Sequence, residues 1–360
     1  MDWQNGKFGD IMSFWINKRV LVTGHTGFKG GWLVKFLKLL GANVYGISLP
    51  NVDKVSFFNL CSVSSDLIDD ARIDVTDQVS LKKKILEINP DIIFHLAAQP
   101  IVGVGYQNPR STFATNVMGV VNLLDVVRKL ENCGAVVNVT TDKVYNNKNW
   151  DWPYRECDQL GGNDPYSASK ACAELVTHSY HSSFLEGRGI ATARAGNVIG
   201  GGDFSKYRLI PDIVRSLANK SLLRIYNPGF IRPWQHVLDP IFGYIKLAEL
   251  LYSNPVKFSG SYNFSDASTE VKTVSEVVEK FEAYFTNLRL DTSKGERHFK
   301  EESLLLLDNT KAKRRLNWSC ALNFQRSIDE TIEWYNEYLN GENVQSLTEI
   351  QISRYLENIK

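Results

Sequence analysis

The stretch Arg19 to Gly30, RVLVTGHTGFKG, constrains the fold of this chain more than any other. Val20, Leu21 and Val22 form an apolar run that reads as a buried parallel strand. It breaks into a turn carrying Gly24, Gly27 and Gly30 at three-residue spacing, and Trp32-Leu33-Val34 then begins a helical pattern. A dinucleotide pyrophosphate fits such a turn. Side chains at the glycines would block the backbone's approach to the phosphates, and the helix that starts there offers free N–H groups and the positive end of its dipole. The plain alternative is a tight turn with no ligand. His25 and Lys29 put polar and cationic groups inside the turn, and Lys29 either meets the pyrophosphate or caps the site.

Past this turn, strand and helix alternate. A helix from Trp32 to Leu40 stops at Gly41, and Asn43 to Ile47 reads as a second strand. The nearest acid past it is Asp53, with no arginine to favour a 2′-phosphate, so charge alone does not separate NAD from NADP. Leu67 to Ile73 lead to Asp74-Val75, a helix spans Val79 to Ile88, and Ile92-Ile93-Phe94 begins a strand ending in HLAAQP. There Ala97 and Ala98 allow a flat ligand to approach. A helix over Thr112 to Leu130, a strand over Ala135 to Val139, a helix over Ser167 to Phe184 and a strand over Ile190 to Ala193 complete the pattern of an α/β, Rossmann-type doubly wound parallel sheet. Beyond Asn197 the alternation loosens. The expected division is a dinucleotide-binding domain over 14–197, a smaller α/β substrate-binding lobe over 198–340 that crosses back to the sheet in places, and a C-terminal tail over 341–360.

Composition narrows the classes of function. The 360 residues are 43% hydrophobic and 22% charged, and a net charge of +1 argues against a general nucleic-acid binder. Five cysteines (Cys61, Cys133, Cys157, Cys172 and Cys320) include no C-x-x-C pair, so neither a disulfide framework nor a zinc site is indicated. His178 and His181 lie one turn apart without a third ligand, and no metal is expected. No run of 18 apolar residues exists to span a bilayer, and the N-terminal residues lack a signal-peptide core, which makes a cytoplasmic location the expectation. The basic run Lys311 to Arg315 reads as a solvated helical face.

Chemistry concentrates between Val139 and Lys170. Tyr166 and Lys170 form a Y-x-x-x-K pair on one helical face, where the lysine's charge lowers the phenol's pKa and makes a general base available. Thr140 and Thr141 end the preceding strand, and a hydroxyl there can share the substrate oxygen with Tyr166. Asp142 and Lys143 add an acid and a cation that plain alcohol oxidation does not need and that elimination of water does. The bland readings are a surface i,i+4 contact and a solvated charged turn.

GHTGFKG, HLAAQP, TTDK, YSASK, RAGNVIGGGD and RPWQHV together resemble the extended short-chain dehydrogenase/reductase superfamily, and within it the CDP-glucose 4,6-dehydratase group, over roughly Phe14 to Tyr335. The narrower resemblance rests on Lys143 after Asp142. It implies NAD as a recycled cofactor and a nucleotide sugar, CDP-glucose, as substrate. Tyr166 would deprotonate the 4-hydroxyl as hydride leaves carbon 4, Lys143 would assist loss of the carbon-5 proton as base or as enolate stabiliser, and Asp142 would protonate the departing 6-hydroxyl. Returned hydride at carbon 6 gives a 4-keto-6-deoxy sugar, a precursor suited to dideoxyhexoses of a surface polysaccharide.

The same resemblance assigns cofactor contacts to Gly24, His25, Gly27, Phe28, Lys29, Gly30, Asp74, Val75, Ala97, Ala98, Gln99, Asn116, Tyr166 and Lys170. Substrate contacts fall on Asn197, Arg208, Leu209, Ile210, Arg232 and His236, the last reading equally well as a packed histidine. It also implies a homodimer, or dimer of dimers, through the two long helices. Gly103 and Gly105 depart from the group's pattern, where an arginine and a serine are expected. The alternatives are another nucleotide-sugar 4,6-dehydratase, a 4-epimerase, or a catalytically silent NAD-binding regulator.

Overall fold

Buried apolar runs that need partners on both faces assemble into one seven-stranded sheet. The computed structural model describes residues 13–51, 53–266, 272–291 and 304–359, so most of the N-terminal segment read for a leader lies outside the described residues. Strands β1 (Arg19–Thr23), β2 (Asn43–Ser48), β3 (Asp69–Arg72), β4 (Ile92–His95), β5 (Ala135–Val139), β6 (Gly189–Ala195) and β7 (Gly260–Phe264) lie in the order 7-6-5-4-1-2-3. Every pairing is parallel. Val20, Leu21 and Val22 of β1 are fully buried, as a central strand covered by helices on both faces requires. Strand order reverses between β1 and β4, which places a ligand crevice at their carboxyl ends.

Helix α1 (Phe28–Leu39) leaves the glycine turn with Gly27 as its N-cap, no side-chain cap bond and no acid in its first turn. Its first N–H groups therefore face outward without partners from a cap. Helix α2 (Gln78–Ile88) connects β3 to β4. The expected continuous helix over Thr112 to Leu130 is instead a short helix Pro109–Phe113, a π-turn Ala114–Met118 and helix α3 (Gly119–Val127). The wide turn is fixed by Asn116, whose side chain accepts from Gln99 N at 2.8 Å and donates to Ser169 Oγ at 2.8 Å. Helix α4 (Pro165–Phe184) starts at Asp164, which accepts from the backbone N–H of Tyr166 at 2.9 Å and Ser167 at 3.0 Å, with Pro165 suited to the first position.

Past residue 197 the chain supplies a rim and then returns. Helix α5 (Leu209–Asn219) and the small ladders Leu222–Arg224 with Arg289–Asp291 and Ile231–Arg232 with Lys272–Thr273 border the crevice. Helix α6 (Leu238–Ser253) packs against β5 and β6, and β7 joins the sheet edge. Next come helices α7 (Val274–Tyr284) and α8 (Phe324–Leu339). Residues 344–358 are helix α9 (Val344–Asn358), whose Leu347, Ile352, Tyr355 and Leu356 are buried in the same apolar cluster as Val20, Phe36 and Phe242. The terminal segment is thus part of the core. Among the described residues no helix is long and apolar enough to cross a membrane.

Candidate active site

The carboxyl ends of β1, β4, β5 and β6, with the rim beyond residue 197, enclose a cavity of about 1270 Å³. That exceeds the upper end of what one small ligand needs, about 1,000 Å³. Gly24, Gly27, Phe28, Lys29 and Gly30 line one end with Asp74, Val75, Ala97 and Ala98; Thr141, Asp142, Lys143, Tyr166 and Lys170 form the middle; Asn197, Arg208, Leu209, Ile210 and Arg232 form the far side.

The glycine turn passes a direct test for a dinucleotide. Gly24 has φ +77°, and a Cβ there would lie 2.7 Å from Ala97 N; one at Gly30 would lie 2.2 Å from Gly24 O. Only glycine lets the turn close this tightly onto the helix end. Beyond it, Ser48 and Thr26 present hydroxyls 2.7 Å apart in the cavity wall, while Asp53 does not line it.

At the centre, Thr141 Oγ1 donates to Asp142 Oδ1 at 2.8 Å and stands near the Tyr166 phenol. Lys143 Nζ stands 3.4 Å from the same Asp142 oxygen. Asp142 is buried and Lys143 half-buried, so the pair is not a solvated turn. Burial pushes Tyr166 up to about 12 against the Thr141 hydrogen bond, and pushes Lys170 down to about 8. The Lys170 ammonium donates to Val139 O at 2.9 Å. Lys29, half-buried, is pushed to about 7, first by burial and then by repulsion from Arg208, Lys170 and Lys143, against the pull of Asp142. Its side chain thus faces the catalytic middle of the cavity. Arg208 pairs with Asp203 at 2.8 Å, and Arg232 donates to Ile231 O at 2.8 Å.

Four expected contacts stand behind the wall instead of in it, since none lines the cavity. His25 is fully buried, its Nε2 2.7 Å from Asp70 Oδ1, and supports the turn from below. Gln99 donates to Thr112 Oγ1 at 2.8 Å and accepts from Ile101 N at 2.6 Å, and Asn116 holds the π-turn. His236 is fully buried against Trp32, pushed to about 3 by burial. At the departure sites, Gly103 lines the cavity and a Cβ on Gly105 would lie 3.3 Å from Tyr166 N.

Sequence reasoning missed His95, Tyr145, Glu174 and Arg194. His95 shares a 2.8 Å hydrogen bond with Thr23 and is pushed to about 3 by burial and by Lys170. Glu174 comes one helical turn after Lys170, a spacing that could have flagged it. No group of three or more His, Cys, Asp or Glu side chains comes together as a metal site among the described residues. All five cysteines are unpaired.

The fold and this site define a protein of the short-chain dehydrogenase/reductase type, with a dinucleotide turn set against a tyrosine–lysine pair. Residues 21–331 match the family described as GDP-mannose 4,6 dehydratase. The chain is 43% identical to a CDP-glucose 4,6-dehydratase of Salmonella typhimurium over 351 residues, which is 96% of this chain and 98% of that protein. The chain belongs to this dehydratase family. Among solved structures it is similar to an epimerase from Methanothermobacter thermautotrophicus, with TM-score 0.80, 23% identity and coverage of 95% and 99% of the two chains. That likeness concerns the fold. A dTDP-glucose 4,6-dehydratase from Streptomyces venezuelae, solved with NAD and TYD bound, gives TM-score 0.75, 25% identity and coverage of 91% and 99%.

Proposed function

We propose that this chain is an NAD-dependent hydro-lyase that converts CDP-D-glucose to CDP-4-dehydro-6-deoxy-D-glucose. The observation that carries this reading is full-length identity of 43% to a CDP-glucose 4,6-dehydratase, in a chain whose Asp142 and Lys143 meet Thr141 and Tyr166 in one cavity. The glycine turn with Asp74, Val75, Ala97 and Ala98 would hold NAD, which would supply a hydride acceptor for carbon 4 and a hydride source for carbon 6.

Tyr166, as its phenolate, takes the 4-hydroxyl proton, and the nearby Thr141 hydroxyl orients the oxygen. Lys170 supplies positive charge beneath the pair. Once carbon 4 is a ketone, the carbon-5 proton is acidic, and Lys143 assists its removal. A cationic ammonium is no base, so Lys143 serves here as the positive charge that stabilises the enolate while the carbon-5 proton passes to a cavity water. Asp142 relays a proton from that water to the departing 6-hydroxyl, which leaves as water, and carbon 5 takes a proton from solvent once hydride has reached carbon 6. Arg208 and Arg232 grip the diphosphate, for which a planar guanidinium gives paired hydrogen bonds. Asn197, Leu209 and Ile210 complete the far wall.

We assign residues 14–197 to cofactor and chemistry and 198–340 mainly to the nucleotide sugar. We further propose a cytoplasmic homodimer, supported by exposed Phe113, Met118, Leu175 and Phe184 along residues 109–127 and α4. Incubation with CDP-glucose, read by mass spectrometry for loss of water and by the alkaline ultraviolet band of a 4-keto sugar, tests the function. Conversion is expected with CDP-glucose; no conversion of CDP-, dTDP-, UDP- or GDP-hexoses refutes it.

A further inference from the structure

Behind the catalytic wall lies a second layer of buried polar side chains that the reaction does not itself require. Glu174, 3% exposed, accepts from Thr140 Oγ1 at 2.5 Å, Thr192 Oγ1 at 2.6 Å, Arg194 Nε and Nη2 at 3.0 and 2.8 Å, and Ser261 Oγ at 3.2 Å. Arg194 Nη1 donates to Tyr145 Oη at 2.7 Å, and Tyr145 lines the cavity. One carboxylate thus ties α4 to β6, to β7 and to the end of β5.

Stability alone is a poor account of this arrangement. A buried ion pair is commonly matched or bettered by well-packed apolar residues of similar volume. What an apolar replacement could not supply is negative charge one turn from Lys170. Around Lys170 stand the neutral, buried His95 and Lys29, neither of which helps it hold a proton. Burial pulls its proton away, and Glu174 is the charge that opposes the loss. Burial also works against ionisation of Glu174, yet Arg194 and the surrounding hydroxyls outweigh it and hold its carboxyl below the usual range. Asp142, Arg208 and Asp164 also act on the charge of Tyr166. Glu174 is also bonded to Thr140, the residue beside Thr141.

We propose that Glu174, locked by Arg194, is a positioning residue for the reaction: its charge keeps Lys170 cationic beneath Tyr166, and its bond to Thr140 fixes the strand end from which Thr141 and Asp142 reach the substrate. The inference rests on the reading of Tyr166 and Lys170 as the acid–base pair.

The test compares the wild-type enzyme with E174Q, E174D and the double variant E174Q/R194M. The double variant removes both charges, so no unpaired arginine is left buried and loss of folding is separated from loss of function. Rates with CDP-glucose and NAD affinity by tryptophan quenching are each measured from pH 6 to 10. In E174Q and in the double variant, the high-pH fall of kcat should begin about one unit lower. The fall in NAD affinity should move with it, since both depend on the Lys170 charge, while KM for CDP-glucose changes little. E174D keeps the charge at shorter reach and should restore the wild-type pH midpoint with reduced kcat. A folded double variant with unmoved midpoints overturns the proposal, as does uniform scaling of the rate at every pH. If the wild-type enzyme does not turn over CDP-glucose, the substrate reading fails, while the NAD titration still decides the role of Glu174.

Discussion

Replacing Tyr355 by alanine tests whether the C-terminal helix belongs to the core. Tyr355 is 1% exposed, and its ring packs edge-on against Phe36 at 6.4 Å and Phe242 at 6.0 Å, residues of α1 and α6. Its hydroxyl donates to Asp239 Oδ1 at 2.9 Å. Truncating a large buried aromatic costs about 3–5 kcal/mol. Depriving the buried Asp239 of a donor adds about 1–3 kcal/mol. The sum, about 4–8 kcal/mol, is a large part of the ~5–15 kcal/mol that holds a folded domain together. Tyr355→Phe keeps the ring and should lose only the smaller share. Urea unfolding monitored by tryptophan fluorescence, with NAD affinity measured in parallel, should show Tyr355→Ala largely unfolded or sharply destabilised, and Tyr355→Phe close to wild type in NAD binding. A Tyr355→Ala protein within about 1 kcal/mol of wild type would refute the reasoning.

Lys143→Ala should keep NAD affinity and folding, since Lys143 is half-buried at the cavity, yet slow exchange of the carbon-5 proton by about 10²–10³; full-rate exchange by deuterium incorporation would remove Lys143 from that step. Stability should fall in acid. His95 and His236, both pushed to about 3, stay neutral in the fold while the unfolded chain protonates them below about 6.5. Asp239, raised to about 7 by burial, opposes this by holding one proton that the unfolded chain has released above about 4. Two protons taken up on unfolding against one given off leave a net of one, so stability should decline by about 1.4 kcal/mol per unit from pH 6.5 towards 4. Asp239→Asn removes the opposing group and should steepen the decline; urea midpoints at pH 7, 6 and 5 measure both.

What could be read from the chain was what short spacing encodes. Gly24, Gly27 and Gly30 mark the turn, and Tyr166 with Lys170 share a helical face whatever the rest of the fold does. Asp142 and Lys143 were legible as residues, but their burial was not, because it depends on the rim folded from residues beyond 197. The π-turn at Asn116 escaped the helical pattern because its cause, Gln99, lies 17 residues away. His25 and His236 look like site residues within their motifs, and only packing, which brings Asp70 and Trp32 against them, reveals their burial. Glu174 and Arg194 meet across 20 residues, one on a helix and the other on the strand beneath it, a juxtaposition that no local pattern displays. The terminal residues Leu347, Ile352 and Tyr355 read as loosely amphipathic because their partners Phe36 and Phe242 are far away in sequence.

The most direct measurement traces one hydrogen. CDP-glucose deuterated at carbon 4 should yield a 4-keto-6-deoxy product carrying that deuterium at carbon 6, with no net NADH formed. Deuterium lost to solvent, retained at carbon 4 or recovered in released NADH would contradict the recycled-cofactor dehydration assigned to this site.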